Sequence, residues 1–233
     1  MKTQEKNFDG IKLSGFTAIL IMLALTGTAI YLLSLPQTPS IIAGVICGIC
    51  VVVMLPGFMI IQPNNSRVLT FFGRYAGTVI SNGFYWVNPL FLKSTVTLRI
   101  LNLNIDPIKV NDKVGNPIMI GAVVVWRIKD TYKASFDISG NIREFVQIQS
   151  DAALRQVAGM YAYDTNETID KVTLRSDESG EITQRLEDEL NSRLAIAGIE
   201  IVEARINYLA YASEIASVML RRQQADAIIS ARE

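Results

Sequence analysis

The sequence predicts an α+β chain in three parts: an N-terminal transmembrane helical hairpin, a two-part module of curved antiparallel sheet and helices, and the start of a C-terminal coiled-coil helix. Three observations predict it. No Asp, Glu, Lys or Arg occurs between Leu13 and Ser66, and so long an uncharged stretch does not belong on the surface of a water-soluble domain. From Val68 the pattern changes to short strands punctuated by Gly and Asn. Further on, Ile182, Leu186, Leu190 and Leu194 recur every four residues, which is one stripe of a helix. The expected layout is a cytoplasmic tail over 1–14, two membrane helices over 15–35 and 41–61, a mostly β part over 62–135, an α+β part over 136–210 and the terminal helix over 211–233.

Gly15–Leu35 and Ile41–Ile61 are apolar runs of 21 residues each, and a helix needs about 20 to cross a bilayer. Pro36-Gln37-Thr38-Pro39-Ser40 lies between them, and its two prolines break the helix. A link this short makes the helices antiparallel. A secretory signal does not fit, because its apolar region is about 7–15 residues long and no second span follows it. Lys2, Lys6 and Lys12 precede the hairpin, Arg67 and Arg74 follow it, and the link carries no charge. Positive flanks stay on the cytoplasmic side. The expected protein is therefore integral to a membrane, with its soluble module cytoplasmic. Gly44-x-x-x-Gly48 has the spacing that lets helices approach closely, and Pro56-Gly57 predicts a kink or an early exit.

In the first half of the module, Val68–Phe72 reads as a strand ended by Gly73, and Gly77 and Asn82-Gly83 read as turns. Thr95–Ile100 alternates and predicts a strand with one buried face. Asn111–Pro117 is a turn cluster. Ile118–Ile128 is nearly all apolar and predicts a strand covered on both faces. The segment Gly83–Leu92 is uncharged and carries four aromatics about 20 residues after the second span. Tyr and Trp suit the headgroup region, where ring and polar edge are both satisfied. Phe84, Tyr85, Trp86, Leu90, Phe91 and Leu92 are therefore the candidate membrane contacts, with an ordinary core hairpin as the alternative.

In the second half, Asn141 caps a helix running to Met160, Asp164-x-x-Glu167 suggests a short capped helix, and Ser176–Gly180 reads as a loop and cap. The helix over Glu181–Ala197 stops at Gly198, and Ile199–Tyr208 is a strand. Glu187-Asp188-Glu189 reads as a solvated helix face. Ser213 opens the last helix, whose Ile215, Val218, Ala225 and Ile229 follow alternating 3- and 4-residue steps interrupted by Arg222. The helix is expected to continue beyond Glu233 in the natural protein.

Composition narrows the chemistry. Basic and acidic residues balance at 22 each, and no basic cluster is interleaved with aromatics, so nothing supports nucleic-acid binding. There is no His, which removes His triads and His-ligated metals. Cys47 and Cys50 read as small apolar helix residues. No Gly-rich phosphate loop occurs. Lys93-Ser94 is the surviving nucleophile pair, but neighbours in a strand point to opposite faces. The expectation is a non-enzyme without cofactor or metal.

The order of features resembles the SPFH (band 7) family of stomatins, prohibitins and flotillins over Ile61 to the end. The carrying residues are Gly73-Arg74, Gly83–Leu90, Asn111-Asp112-Lys113 before Val123–Asp130, Leu154-Arg155-x-x-x-Gly159, and Leu194-x-x-x-Gly198-Ile199-Glu200-Ile201 with Glu203-x-Arg205-Ile206. The sequence departs from the pattern at Asn82 and at Ala212-Ser213, where relatives often carry Pro. The resemblance implies a two-part domain lying on the membrane, packing side by side into a ring or cage that organises a membrane microdomain. Its implied partners are membrane lipids, further copies of the chain and client membrane proteins such as proteases or channels. Leu186, Leu190, Ile215, Val218, Arg222, Ala225 and Ile229 are the expected contacts between subunits. The alternatives are an accessory subunit of a transporter or channel, and a membrane-bound Ser-Lys hydrolase.

Overall fold

A computed structural model of the chain describes residues 4–164, 172–176, 180–215, 217, 218 and 221. The chain forms two compact units, Met1–Arg99 and Ile100–Glu233. The first contains β1 (Leu13–Ser14), α1 (Gly15–Ser34), α2 (Thr38–Met54), a 3-10 turn (Leu55–Gly57), β2 (Phe58–Ile61), β3 (Asn65–Phe71), β4 (Arg74–Val79), β5 (Gly83–Trp86) and β6 (Phe91–Thr97). The second contains β7 (Leu101–Asn111), β8 (Pro117–Ile128), α3 (Thr131–Phe136), α4 (Ile142–Ala158), α5 (Glu181–Leu194), a 3-10 turn (Ala195–Ala197) and β9 (Ile199–Tyr211).

α1 and α2 are the expected hairpin with shifted ends. Only Pro36 breaks the chain. Pro39 lies in the first turn of α2, where its missing N–H costs nothing, so α2 starts at Thr38 rather than Ile41. It ends at Met54 because Pro56-Gly57 draws the chain out early. Gly44 is buried where α2 meets α1: a Cβ there would lie 3.2 Å from the Ala29 carbonyl oxygen, whereas Gly48 faces open space. The hydroxyls of Thr17, Thr26, Thr28 and Ser34 donate to carbonyls three or four residues back, which is how helix polar groups are satisfied in hydrocarbon. Most other side chains of both helices are exposed apolar groups. A pair of helices this bare fits association with a membrane.

Two three-stranded antiparallel sheets complete the first unit, in the orders β1-β5-β2 and β4-β3-β6. Met59, Ile61, Leu69, Val79 and Val87 form its core, with Phe8, Tyr85 and Phe91 against it. The N-terminal residues are not a free tail. The Phe8 N–H donates to the Thr78 carbonyl at 3.0 Å and the Thr78 N–H to the Lys6 carbonyl at 2.9 Å, so this segment lies along β4. Gly77 is therefore not a turn. It sits inside β4 at φ +146, and a Cβ there would come within 2.7 Å of the Phe8 backbone.

In the second unit the sheet order is β7-β8-β9. β9 pairs along nearly the whole of β8, from Ile128↔Ile199 to Ile118↔Tyr211. This pairing, and the β7–β8 hairpin, place the division after Arg99 rather than near residue 135. β8 is covered fully on one face only. Ile118, Ile120, Ala122, Val124 and Trp126 are buried, while Val123 and Val125 on the other face are half-buried beside Asn102, Asn104, Glu203 and Arg205. α4 carries the expected Asn141 cap, whose side chain accepts from the Arg143 N–H. The α5 stripe of Ile182, Leu186, Leu190 and Leu194 is completely buried, and α5 packs on β9 and α4. Glu187 is not a solvated bystander: its carboxylate accepts from the Ala204 N–H at 3.1 Å, and Asn191 accepts from the Ile201 N–H at 3.0 Å. These two residues close off part of the β9 edge, an unpaired row that would otherwise invite another strand. Asp164-x-x-Glu167 lies largely outside the described residues.

On the β8–β9 surface, Glu200 accepts from Lys129 at 2.9 Å and Arg127 at 2.7 Å. The hydrogen bond from Lys129, followed by that from Arg127, holds its carboxyl below the usual range. A carboxyl whose folded pKa is depressed stabilises the fold above its unfolded pKa, about 4.3, and that stabilisation is lost as pH falls through the folded value. The melting temperature is expected to fall on acidification through that window, and less so in Glu200→Gln. Leu186→Ala and Leu190→Ala are each expected to destabilise the fold by about 2–5 kcal/mol, the range for emptying a buried Leu site. Urea unfolding followed by Trp126 fluorescence tests this. An unchanged midpoint would show that these leucines are not core.

Candidate membrane-facing site

A helix ends with carbonyls that have no partner within it. At the end of α2 and in the 3-10 turn after it, the Met54, Pro56 and Gly57 carbonyls are met by one stretch of chain. The Trp86 indole donates to the Met54 carbonyl at 2.9 Å, the Val87 N–H donates to the Gly57 carbonyl at 3.0 Å, and the Lys93 ammonium donates to the Pro56 carbonyl. Gly57 makes room for this: a Cβ there would lie 2.3 Å from the Trp86 indole nitrogen.

β5, which carries Phe84 and Trp86, is the central strand between β1 and β2. β1 runs directly into α1, and β2 follows the turn that ends α2. The ring of Phe84 stacks on Phe58 at 5.5 Å and meets Phe16 edge-on at 5.5 Å. These aromatics therefore sit at the mouth of the hairpin, where both helix ends enter the sheet.

The six expected membrane contacts divide by position. Phe84 and Trp86 are half-buried at the helix ends, and Leu90 and Leu92 are exposed. Tyr85 and Phe91 are instead packed on the core. The Tyr85 hydroxyl donates to the Asn82 carbonyl at 3.1 Å, and Phe91 contacts Phe8 and Phe71. Strand alternation turns them away from their neighbours. Phe72 belongs with the exposed group and was not among the expected residues. It is 77% exposed, at a turn with φ +44. The pairing of Phe71 with Phe91 brings that turn to the same end of the sheet as Leu90. An apolar residue beside a turn glycine was its only signal in the sequence.

Lys93 and Ser94 lie in β6 and face opposite ways, with Lys93 committed to the α2 end. Among the described residues no group of His, Cys, Asp and Glu is arranged to hold a metal. Of the expected subunit contacts, Leu186 and Leu190 are corrected to internal core residues. Ile215 is half-buried and Val218 exposed, and Arg222, Ala225 and Ile229 lie outside the described residues.

The model of the SPFH domain / Band 7 family matches residues 59–233. No curated protein matches the chain.

Trp86→Phe keeps the ring and removes the donor, leaving the Met54 carbonyl unpaired. The expected loss is about 1–3 kcal/mol, read as an earlier midpoint in thermal unfolding of the detergent-solubilised protein. A loss confined to Trp86→Ala, with Trp86→Phe neutral, would mean that ring packing and not the hydrogen bond holds the helix end.

Proposed function

The chain belongs to the SPFH domain / Band 7 family, whose members are membrane-associated scaffolds, and from that premise we propose that it is the membrane-anchored subunit of a self-assembling scaffold. Copies pack side by side into a ring or cage that organises a patch of membrane and regulates proteins within it, proteases or channels among them. The observation that carries this reading is the joint at the mouth of the hairpin. Both helix ends are built into one sheet, so the first unit is held at the bilayer surface rather than tethered to it. A unit held in that way presents the same flank to every neighbour in the plane.

The soluble part is cytoplasmic in this proposal, because Lys6, Lys12, Arg67 and Arg74 all lie on the side opposite the uncharged link. Subunits meet through the terminal helix from Ser213 and through surfaces other than the buried stripe of α5.

Electron microscopy of the protein extracted in mild detergent is expected to show large closed rings or domes, and cross-linking in native membranes to give a ladder of multiples. Monomers by microscopy together with no cross-linked multiples in the membrane would sink the scaffold. For orientation, a C-terminal GFP fusion is expected to fluoresce and an alkaline phosphatase fusion to be inactive. The opposite pair of results reverses the side.

A further inference from the structure

Charge is unevenly spread along the chain. Residues 1–99 hold seven Lys and Arg against two acids, Glu5 and Asp9, although the whole chain balances. Two of the seven stand together. Arg67 pairs with Thr95 and Lys93 with Leu69 across β3 and β6, so Arg67 and Lys93 are diagonal neighbours on one face. The Arg67 guanidinium donates to the Thr95 hydroxyl and, at 3.4 Å, to the Ile60 carbonyl. The Lys93 ammonium donates to the Pro56 carbonyl. Both cations thus reach the backbone just beyond the end of α2, where hydrocarbon gives way to headgroups.

Capping of the helix does not account for the pair. The Met54 and Gly57 carbonyls already have Trp86 and Val87 as donors, and Lys93 alone serves Pro56. Arg67 is a second cation that the cap does not require. Among the described residues neither cation forms a salt bridge. Burial, and then the neighbouring Arg67, hold the Lys93 ammonium below its ordinary pKa range, so the pair is placed at a cost that an anion would relieve. Each group keeps unused N–H donors.

We propose that Arg67 and Lys93 bind the phosphate of an anionic phospholipid in the leaflet beside the end of α2. Two features favour a lipid over a free anion. The carbonyls that the cations touch belong to Pro56, which follows exposed Leu55, and to Ile60, itself 63% exposed. Apolar side chains for an acyl chain therefore adjoin the donors for a phosphate. A zwitterionic lipid brings its own cation toward two others and is disfavoured. The proposal rests on the hairpin lying in a bilayer and is independent of self-assembly.

The test uses full-length protein carrying Trp126→Phe, in phosphatidylcholine nanodiscs. Trp126 is buried with its indole N–H unpartnered, so this change removes no hydrogen bond and leaves Trp86 as the donor of energy transfer. A trace of pyrene-labelled phosphatidylglycerol or phosphatidylcholine is the acceptor. Each cation near the surface favours an anionic lipid roughly fivefold, so transfer to phosphatidylglycerol is expected to exceed transfer to phosphatidylcholine several-fold. Arg67→Gln with Lys93→Gln is expected to remove the preference, while Arg67→Lys with Lys93→Arg, and separately Arg74→Gln with Arg99→Gln, keep it. Circular dichroism identifies folded variants. A preference that survives the double neutralisation overturns the site, and one equally lost in Arg74→Gln with Arg99→Gln reduces it to a diffuse field. Loss of the preference in millimolar inorganic phosphate would make it a free-anion site. Transfer to neither lipid would overturn the membrane reading itself.

Discussion

The end of α2 is the constraint on which the first unit depends. A helix-end carbonyl kept from water and left unpaired costs about 1–3 kcal/mol. The chain meets this with donors from β5, the residue after it and β6: Trp86, Val87 and Lys93. Those donors are in place only if β5 lies beneath the helix end, and β5 lies there because β2, continuing from α2, pairs with it from Phe58↔Trp86 to Ile61↔Gly83. Cap and pairing specify each other. Gly57 belongs to the same arrangement, since any side chain there would occupy the place of the indole.

The N-terminal segment extends that constraint to the other helix. β1 pairs with the free edge of β5 immediately before α1 begins, and Lys6–Phe8 lie along the free edge of β4. Two edges that would otherwise be open to other strands are thereby covered. Phe8 adds an edge-on contact with Phe91 in the core at 5.4 Å. Residues that look like a polar leader to the first span are thus structural parts of the unit. Only their backbone reveals it, because β pairing leaves little mark on a sequence as mixed as Lys6-Asn7-Phe8-Asp9-Gly10.

The two spans were legible because the lack of charge over Leu13–Ser66 is a composition signal independent of partners. β8, α4 and α5 were legible from their own periodicity, caps and stops. β1, β2 and β7 were not, since two are very short and the third alternates around Asp106-Pro107, where its register with β8 shifts. The α5 stripe announced a buried face but not its partner. An apolar stripe on a helix reads alike whether it meets a neighbouring subunit or the strand that follows it in the chain, and here β9 takes it. The aromatic segment reads as one surface, although strand alternation divides it: Phe84 and Trp86 go to the helix ends, and Tyr85 to the core. Arg67 and Lys93 could not have been paired by eye, because only the β3–β6 register joins residues so far apart.

The neutral composition conceals a division of labour. With seven basic and two acidic residues in 1–99, the rest of the chain is left with fifteen basic and twenty acidic. An anionic leaflet attracts positive charge only within about a Debye length, ~8–10 Å. The attraction therefore acts on the part whose strands leave the membrane helices directly. The second unit carries the opposite balance. Its outer face is drawn together by its own ion pairs, Arg127 and Lys129 on Glu200 and Arg205 on Glu203, and its apolar stripe is consumed internally. What remains exposed on α5 is polar: Glu181, Gln184, Arg185, Asp188 and Ser192. A surface of that kind supports contacts that are specific but shallow, since exposed ion pairs contribute about 0–1 kcal/mol each. Such contacts hold an assembly only when many copies are already confined to one plane in one orientation. In the proposed assembly the joint between hairpin and sheet would supply that confinement, which makes the anchor as much a part of it as any surface between subunits.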